Sequence, residues 1–478
     1  MFRLIAIFML STLALSGCKG KETETPPKSN TEADSASSMS VMVTPTAPTM
    51  GTEAPGDSIP PMAPGQDTPP PDKTPVTPPS TNTVTSPPAN TVTSPPANNF
   101  AAGTRLGKTA IIKGQRAFAL KLLSRLARQE SAKNIVFSPL SISTAIAMVY
   151  IGSGTSTKKE IATLLGYSPN FEENSTVYGG LLSFENTRGF EVQSANRIFV
   201  HNTLNVKPAF ESINRKFFRT TLQKLDFKQK AKVARTINSW ISKQTKKKIK
   251  ELVKTKHITP LTRMLLVNAL YMKADWVHTF KKRATREMAF RSPSGKVKTK
   301  FMTQTTDFRY AEDSDMQYLE MPYKGRRLSM LVALPRKGRS LDSLLPTLST
   351  SLNKARGGLF SQRVMVSFPK FGYSQGTGLK GLLKAMGMTL SFSMKADFGG
   401  ISKTALKIED VLHKARINVD EQGTVASAAT AVIVGTKGAG MSSRPVTFVA
   451  DHPFAYFIVD RLNNTILFAG IIRNPTLK

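Results

Sequence analysis

From residue 105 onward the chain switches between two apolar rhythms. Arg105 to Gln129 carries Phe118, Leu122, Leu123 and Leu126 on one stripe at helical spacing, which predicts a helix. Asn134-Ile-Val-Phe137 reads as a short buried strand. Ser138-Pro139 then supplies an N-cap and a proline at the first helical position, predicting a helix from Pro139 to Tyr150. Thr157-Lys-Lys-Glu160 has the form of a capping box ahead of Ile161 to Leu165. Phe190 to Val200 and Arg263 to Trp276 read as strands. In the second, Leu265, Val267, Ala269 and Tyr271 back onto Leu266, Asn268, Leu270 and Met272, a pattern that suits the centre of a covered sheet. Ala231 to Val253 reads as an amphipathic helix with a basic side. Leu328 to Leu334 and Arg363 to Phe371 read as further strands, and Leu379 to Met386 as a helix. Pro453 to Val459 and Thr465 to Ile472, joined by Arg461-Leu-Asn-Asn464, form a buried hairpin. The class is α+β with large antiparallel sheets. No compositional break follows Gly103, so the remainder is one large domain.

One stretch leaves both rhythms. The strand Val411-Leu-His-Lys-Ala-Arg-Ile-Asn-Val419 is followed by Asp420 to Gly440, filled with small residues from Thr424 to Ala431. So few large side chains cannot anchor a segment in a core. Yet Thr424, Ala426, Ala428, Thr430, Val432 and Val434 share one face at period two, so nothing bars the stretch from a sheet. It reads as a loop that can become a strand. Two polar residues stand on apolar faces nearby: Asn268 in its strand, and His413 beside Val411, Ala415, Ile417 and Val419. Burial obliges each to find a hydrogen-bond partner, and each could supply what the other lacks.

Composition separates the first hundred residues from the rest. Met1 to Ser16 is apolar and too short for a spanning helix. It ends in Leu15-Ser-Gly-Cys18, which resembles a bacterial lipobox and implies cleavage before Cys18 (a signal peptide of residues 1–17) and lipidation of that cysteine. Cys18 is the only cysteine, so it has no internal disulfide partner. Residues 18–103 are rich in Pro, Thr and Ser and contain a direct repeat, Asn82 to Ala89 and Asn90 to Ala97, as expected of a solvated tether. The globular region is then 104–478. Of 66 Lys and Arg and 32 Asp and Glu, five and eight fall in the first hundred residues, leaving 61 basic against 24 acidic groups in the remainder. Clusters at Lys243 to Lys256, Lys281 to Arg283 and Arg336 to Arg339 read either as a solvated basic surface or as attraction to polyanions, membranes or acidic partners. No zinc-finger, RRM or helix-turn-helix signature accompanies them, which argues against specific nucleic-acid recognition.

Catalytic and cofactor signals do not hold up. Gly376-Thr-Gly-Leu-Lys-Gly381 fits a dinucleotide fingerprint, but the alternating strand before it does not look like part of a parallel βαβ unit. His201, His257, His278, His413 and His452 show no metal spacing, and no G-x-S-x-G elbow exists. No cofactor, no metal and no enzyme activity are expected.

Four motifs then occur in order: Asn134-Ile-Val-Phe-Ser-Pro-Leu-Ser-Ile-Ser143, Asn268-Ala-Leu-Tyr-Met-Lys-Ala-Asp-Trp276 with Phe280, Asp420-Glu-Gln-Gly-Thr-Val-Ala-Ser-Ala-Ala-Thr430, and Asp451-His-Pro-Phe454 with the closing hairpin. Together they resemble the serpin family over roughly residues 103–478. The resemblance implies a serpin fold, with three β-sheets, eight or nine helices and an exposed reactive-centre loop. It implies a monomeric suicide inhibitor of serine, or else cysteine, proteases. The protease cleaves the loop, and the loop inserts as a central strand before the acyl-enzyme is hydrolysed. By the same match Glu421, Gly423, Thr424, Ala426, Ala428 and Thr430 form the hinge, Ser138, Ser141, Asn268 and His413 the shutter, and Trp276 the breach. Counting from Glu421 sets Lys437–Gly438 at the reactive bond, which implies a trypsin-like target; counting back from Phe448 lands nearer Ala439. Lys19 after Cys18 resembles lipoproteins of the outer membrane, with the globular region at the cell surface or in the periplasm. The rival expectation is a non-inhibitory serpin that binds polyanions or host ligands through its basic surface.

Overall fold

The computed structural model describes residues 102–167, 171–181, 189–424 and 444–477. Cys18, the Pro-rich tether, the expected hinge residues Ala426, Ala428 and Thr430, and the Lys437–Gly438 bond lie outside the described residues.

In chain order the elements are α1 (Ala102–Gln129), β1 (Ile135–Phe137), α2 (Pro139–Tyr150), α3 (Thr155–Leu165), α4 (Phe171–Leu181), β2 (Phe190–His201), α5 (Pro208–Phe218), β3 (Gln223–Leu225) and α6 (Lys230–Gln244). There follow β4 (Met264–Asp275), β5 (Arg286–Ser292), β6 (Gly295–Glu312), β7 (Met316–Pro322), β8 (Leu328–Pro335), α7 (Leu341–Leu344), α8 (Leu348–Gly358), β9 (Phe360–Pro369), β10 (Phe371–Gly378) and α9 (Lys380–Ala385). The chain closes with β11 (Val411–Val419), β12 (Gly423–Thr424), β13 (Val446–Val449), β14 (Phe454–Asp460) and β15 (Thr465–Ile472).

These strands make a six-stranded sheet in the order β10-β11-β12-β4-β2-β3 and a larger one in the order β1-β15-β14-β8-β7-β6-β9-β13, with β5 on β6. The 18-residue β6 serves two strand groups. It pairs with β5 and β9 along most of its length and with β7 only through Arg309–Glu312. The third sheet expected from sequence is thus a strand group joined to its neighbour through β6. Among the described residues nine α-helices surround the sheets.

Strand β4 shows why its sequence is apolar on both faces. Met264, Leu266, Leu270 and Met272 enter the main core with α2, whose residues are all buried. Leu265, Val267 and Ala269 enter a second core with Val233, Ala234, Ile237 and Ile241 of α6. Alternation at period two therefore feeds two cores, and the sheet is covered on both sides.

Three local expectations are corrected by tertiary contacts. The helix expected to reach Val253 stops at Gln244. Thr245 is buried, donates its hydroxyl to Ile241 O at 2.8 Å and accepts the Ile249 amide at 3.1 Å, and the chain turns through Lys246 and Lys247 at φ 49° and 63°. The capping box is not one: α3 begins at Thr155, Thr157 Oγ1 accepts the Asp397 amide at 2.8 Å, and Glu160 accepts the amides of Thr389, Leu390 and Ser391. The single strand expected over Arg363–Phe371 is divided at Lys370 between β9 and β10, which belong to different sheets. The glycine motif also lies in antiparallel surroundings, since β10 pairs antiparallel with β11.

The C-terminal Arg473, 1% exposed, ties the last strand to the end of α1: it donates to the Lys133 and Ala127 carbonyls and pairs with Asp342. Arg473→Leu should cost about 2–3 kcal/mol, because it strands buried carbonyls. A thermal-unfolding midpoint that moves no more than that of Lys133→Ala, which removes an exposed ion pair, would contradict this.

Candidate functional site

The six-stranded sheet has an incomplete centre. β11 pairs in parallel with β4 only from Val411 to Ala415, against Leu266 to Leu270. Above that ladder the two strands part, and β12 stands in the opening. Gly423 and Thr424 pair antiparallel with Asp275 and Ala274 of β4, and Thr424 also pairs with Val419 of β11. A two-residue strand is thus wedged into the mouth of a seam that is closed below it.

A row of polar side chains crosses the closed part. Register aligns Asn196 of β2, Asn268 of β4 and His413 of β11. The Ser138 amide donates to His413 Nε2 at 3.0 Å. That nitrogen accepts, so in the neutral ring the proton sits on Nδ1, which donates to Asn268 Oδ1. Asn268 Nδ2 donates to Asn196 Oδ1, Asn196 Nδ2 donates to Ser194 Oγ at 2.9 Å, and the Ser194 and Ser141 hydroxyls lie 3.4 Å apart. Ser138 Oγ accepts the Ser141 amide at 3.2 Å as the N-cap of α2. Burial alone drives the His413 pKa down to about 3, so the ring is neutral at pH 7.

The mouth is held by a second set of contacts. Asp420, Glu421 and Gln422 offer three successive carbonyls, which accept the Trp276 indole N–H at 3.0 Å, the Phe280 amide at 2.9 Å and the Trp276 amide at 2.8 Å. Trp276 is buried and stacks on Tyr323, with centroids 4.4 Å apart and planes 11° from parallel. Tyr323 in turn meets the Thr424 hydroxyl at 2.6 Å. The Glu421 carboxylate takes Lys370 Nζ at 2.6 Å and Thr285 Oγ1 at 2.8 Å. Burial pushes its pKa up, but these hydrogen bonds outweigh burial and bring it below the usual value. Gly423 is required by close approach as well as by turning: a Cβ there would lie 2.0 Å from Ala274 O and 2.7 Å from Asp275 Cα.

Ser138, Ser141, Asn268 and His413 are therefore brought together, as are Trp276, Glu421, Gly423 and Thr424. Sequence reasoning missed Ser194 and Asn196, which extend the row, and Tyr323, Lys370 and Thr285, which brace the mouth. Ser194 and Asn196 do share one face of the predicted strand Phe190–Val200, but only register aligns that face with Asn268.

Comparison with known proteins bears on the family and the fold. A family model described as Serpin (serine protease inhibitor) matches residues 113–475. An uncharacterized serpin-like protein of Thermococcus kodakarensis is 36% identical over 371 residues, covering 76% of this chain and 86% of that one. Serpin B6 of Macaca fascicularis is 34% identical over 374 residues, covering 75% and 97%. Among solved structures, Serpin48 of the insect Tenebrio molitor is similar with a TM-score of 0.70 at 29% identity, covering 77% of this chain and 98% of its own. Native protease nexin-1 with heparin is similar with a TM-score of 0.70 at 27% identity, covering 77% and 100%.

The neutral His413 makes stability depend on pH. Its folded pKa of about 3 lies below the ordinary histidine value of 6.5, so the unfolded chain binds the extra proton between them. The histidine's contribution is complete above pH 6.5 and is lost as pH falls toward 3. His413→Gln should lower stability at pH 7 by about 1–3 kcal/mol. It should also flatten the fall of the urea midpoint between pH 6.5 and 5 relative to wild type. Parallel pH curves for the two proteins would contradict the neutral, buried ring.

Proposed function

The chain belongs to the serpin family, and from that premise we propose that it is a suicide inhibitor of trypsin-like serine proteases, anchored to a membrane through its amino terminus. The family and the fold are those of serine protease inhibitors. The chemistry belongs to the protease, whose serine attacks the scissile carbonyl to form an acyl-enzyme. The inhibitor's part is to insert its cut loop before that ester is hydrolysed.

One observation carries the reading: β12 is already paired on both sides at the top of a seam whose flanking strands meet directly only below it. Continued in the same register, residue 428 would fall opposite Leu270 and Ala415, and Thr430 would fall between Asn268 and His413, on the same face as both. Insertion would thus exchange one parallel ladder for two antiparallel ones, which are the stronger pairing per residue. It would also give the polar row a hydroxyl in place of the direct His413–Asn268 bond. In this reading Ser138, Ser141, Asn268 and His413 are the shutter, Trp276 is the breach, and the small residues Thr424, Ala426, Ala428 and Thr430 are what a packed sheet can admit. Lys437–Gly438 is the bait, because a lysine suits a specificity pocket that holds a carboxylate.

Mixing the full chain with trypsin should yield an adduct that survives denaturing electrophoresis. Cleavage of the loop with trypsin left fully active would refute inhibition. Thr424 is 1% exposed, with its hydroxyl on Tyr323, so Thr424→Arg should expel β12 without unfolding the chain and turn inhibitor into substrate. Trapping by that variant at wild-type stoichiometry would refute the hinge assignment.

Membrane attachment rests on Leu15-Ser-Gly-Cys18 and on the tether that follows. Labelled palmitate should enter the protein in cells and vanish with Cys18→Ala, and externally added protease should remove the globular region from intact cells. Continued labelling of the variant would refute the lipid site, and protection of the globular region would refute surface display.

A further inference from the structure

Helices α1 and α3 meet at one point and leave a groove beside it. A Cβ on Gly114 of α1 would lie 2.4 Å from Leu165 O and 2.8 Å from Gly166 Cα, where α3 ends. The backbones touch there, so the groove is closed at that end. It lies between the part of α1 that follows the contact and the part of α3 that precedes it, with Met386 and Gly387 after α9 along its third side. Its volume of about 550 Å³ is that of a site for one small ligand.

The lining changes character along the groove, and the sequence sets the order. Ala117 and Phe118 follow Gly114 by three and four residues, and Leu164 precedes Gly166 by two, so the closed end is apolar. Lys121 lies seven residues past Gly114 and Lys159 seven before Gly166. Both lysines therefore stand two helical turns, about 10 Å, from the contact, at the open end. Both are exposed. Lys121 Nζ donates to the Met386 carbonyl at 3.2 Å and keeps two further donors. Lys159 Nζ has no partner among the described residues. The one carboxylate of the lining, Glu160, is engaged by the amides of Thr389, Leu390 and Ser391 and by the hydroxyls of Thr389 and Ser391.

We propose that this groove binds a medium-chain fatty acid, its tail toward the Gly114–Gly166 contact and its carboxylate between Lys121 and Lys159. An apolar closed end admits a chain terminus and stops a polymer from running through. Two lysines against one carboxylate suit a head of single negative charge, and Glu160 beside it disfavours a second. The tail supplies the affinity, at about fourfold for each methylene removed from water, and the head fixes the direction of entry. No residue of the seam or of its mouth lines the groove, so binding here is independent of inhibition.

The test titrates the full chain calorimetrically with hexanoate, octanoate and decanoate at neutral pH, each below its micellar concentration. Affinity should rise about fourfold per methylene, and decanoate should raise the thermal-unfolding midpoint as its concentration rises. No binding, or an affinity that ignores chain length, would overturn the site. The double variant Lys121→Gln, Lys159→Gln should bind decanoate about fivefold more weakly, while Lys281→Gln, Lys282→Gln should stay within about twofold of wild type. Equal losses in both would overturn the site in favour of diffuse charge. Ala117 is exposed on its helix, so Ala117→Phe should fold and fill the apolar end, weakening decanoate more than hexanoate. Equal weakening of the two would overturn the placement of the tail. Decyltrimethylammonium should bind wild type at least about tenfold more weakly than decanoate, and equal binding would overturn selection for an anionic head. Tighter binding of a decanoyl lysophosphatidylglycerol would overturn the carboxylate in favour of a phospholipid head. The chain-length series and both head-group comparisons use wild type alone, so they decide the matter even where a variant fails to fold.

Discussion

The constraint on which everything else depends is a strand slot that is closed over only part of its length. β4 and β11 meet directly along Leu266–Leu270 and Val411–Ala415 and are held apart above by two residues of β12. Backbone donors and acceptors at such a seam have two solutions, pairing with each other or pairing with a strand between them. The second makes two ladders where the first makes one, and both are antiparallel. Here the first solution holds from Val411 to Ala415 and the second at Thr424. The cost of parting the closed segment is set by side chains.

Those side chains are polar where a sheet core is ordinarily apolar. The run from Ser138 through His413, Asn268, Asn196 and Ser194 to Ser141 leaves few ways to satisfy its buried groups. Each donor faces one acceptor, and parting β4 from β11 breaks the link between His413 and Asn268. A directional network of this kind resists partial opening, because a half-opened state leaves buried groups unpaired. At the mouth the contacts differ in kind. Three consecutive carbonyls, one stacked aromatic pair and the Glu421–Lys370 ion pair hold Asp420 to Thr424 in the opening. The row ties β4 to β11 where they meet, and the mouth holds β12 where they part.

The two faces of the sheet divide this labour through the alternation of β4. Even-numbered positions look toward α2 and carry Asn268, while odd-numbered positions look toward α6 and the lysine-rich segment. Any opening of the seam therefore disturbs a polar network on one face and an apolar cover on the other. The excess of basic over acidic groups in the globular region is concentrated in part on that cover.

Much of this was legible before any coordinates. Helical stripes, the Ser138 cap, the two-faced β4, the closing hairpin and the α+β class all follow from local periodicity, because a side chain's face depends only on its place in a helix or strand. The small-residue run after Val419 and the polar oddities Asn268 and His413 were visible for the same reason. Register was not legible. That Asn196, Asn268 and His413 fall in one row depends on which strands neighbour each other and by what offset, and residues up to 217 positions apart set that offset. Nor could local pattern show that Thr157 and Glu160 serve a distant turn, that α6 stops at Gln244, or that Lys370 divides two sheets, since in each case a tertiary partner outbid the local motif. Local pattern alone was enough to tell which residues are inside, which are helical and which stretch carries only small side chains. It took the fold to place Gly423 and Thr424 between β4 and β11 and to align the polar row below them, because hydrogen-bond partners across a sheet are chosen by packing and not by neighbours in the chain.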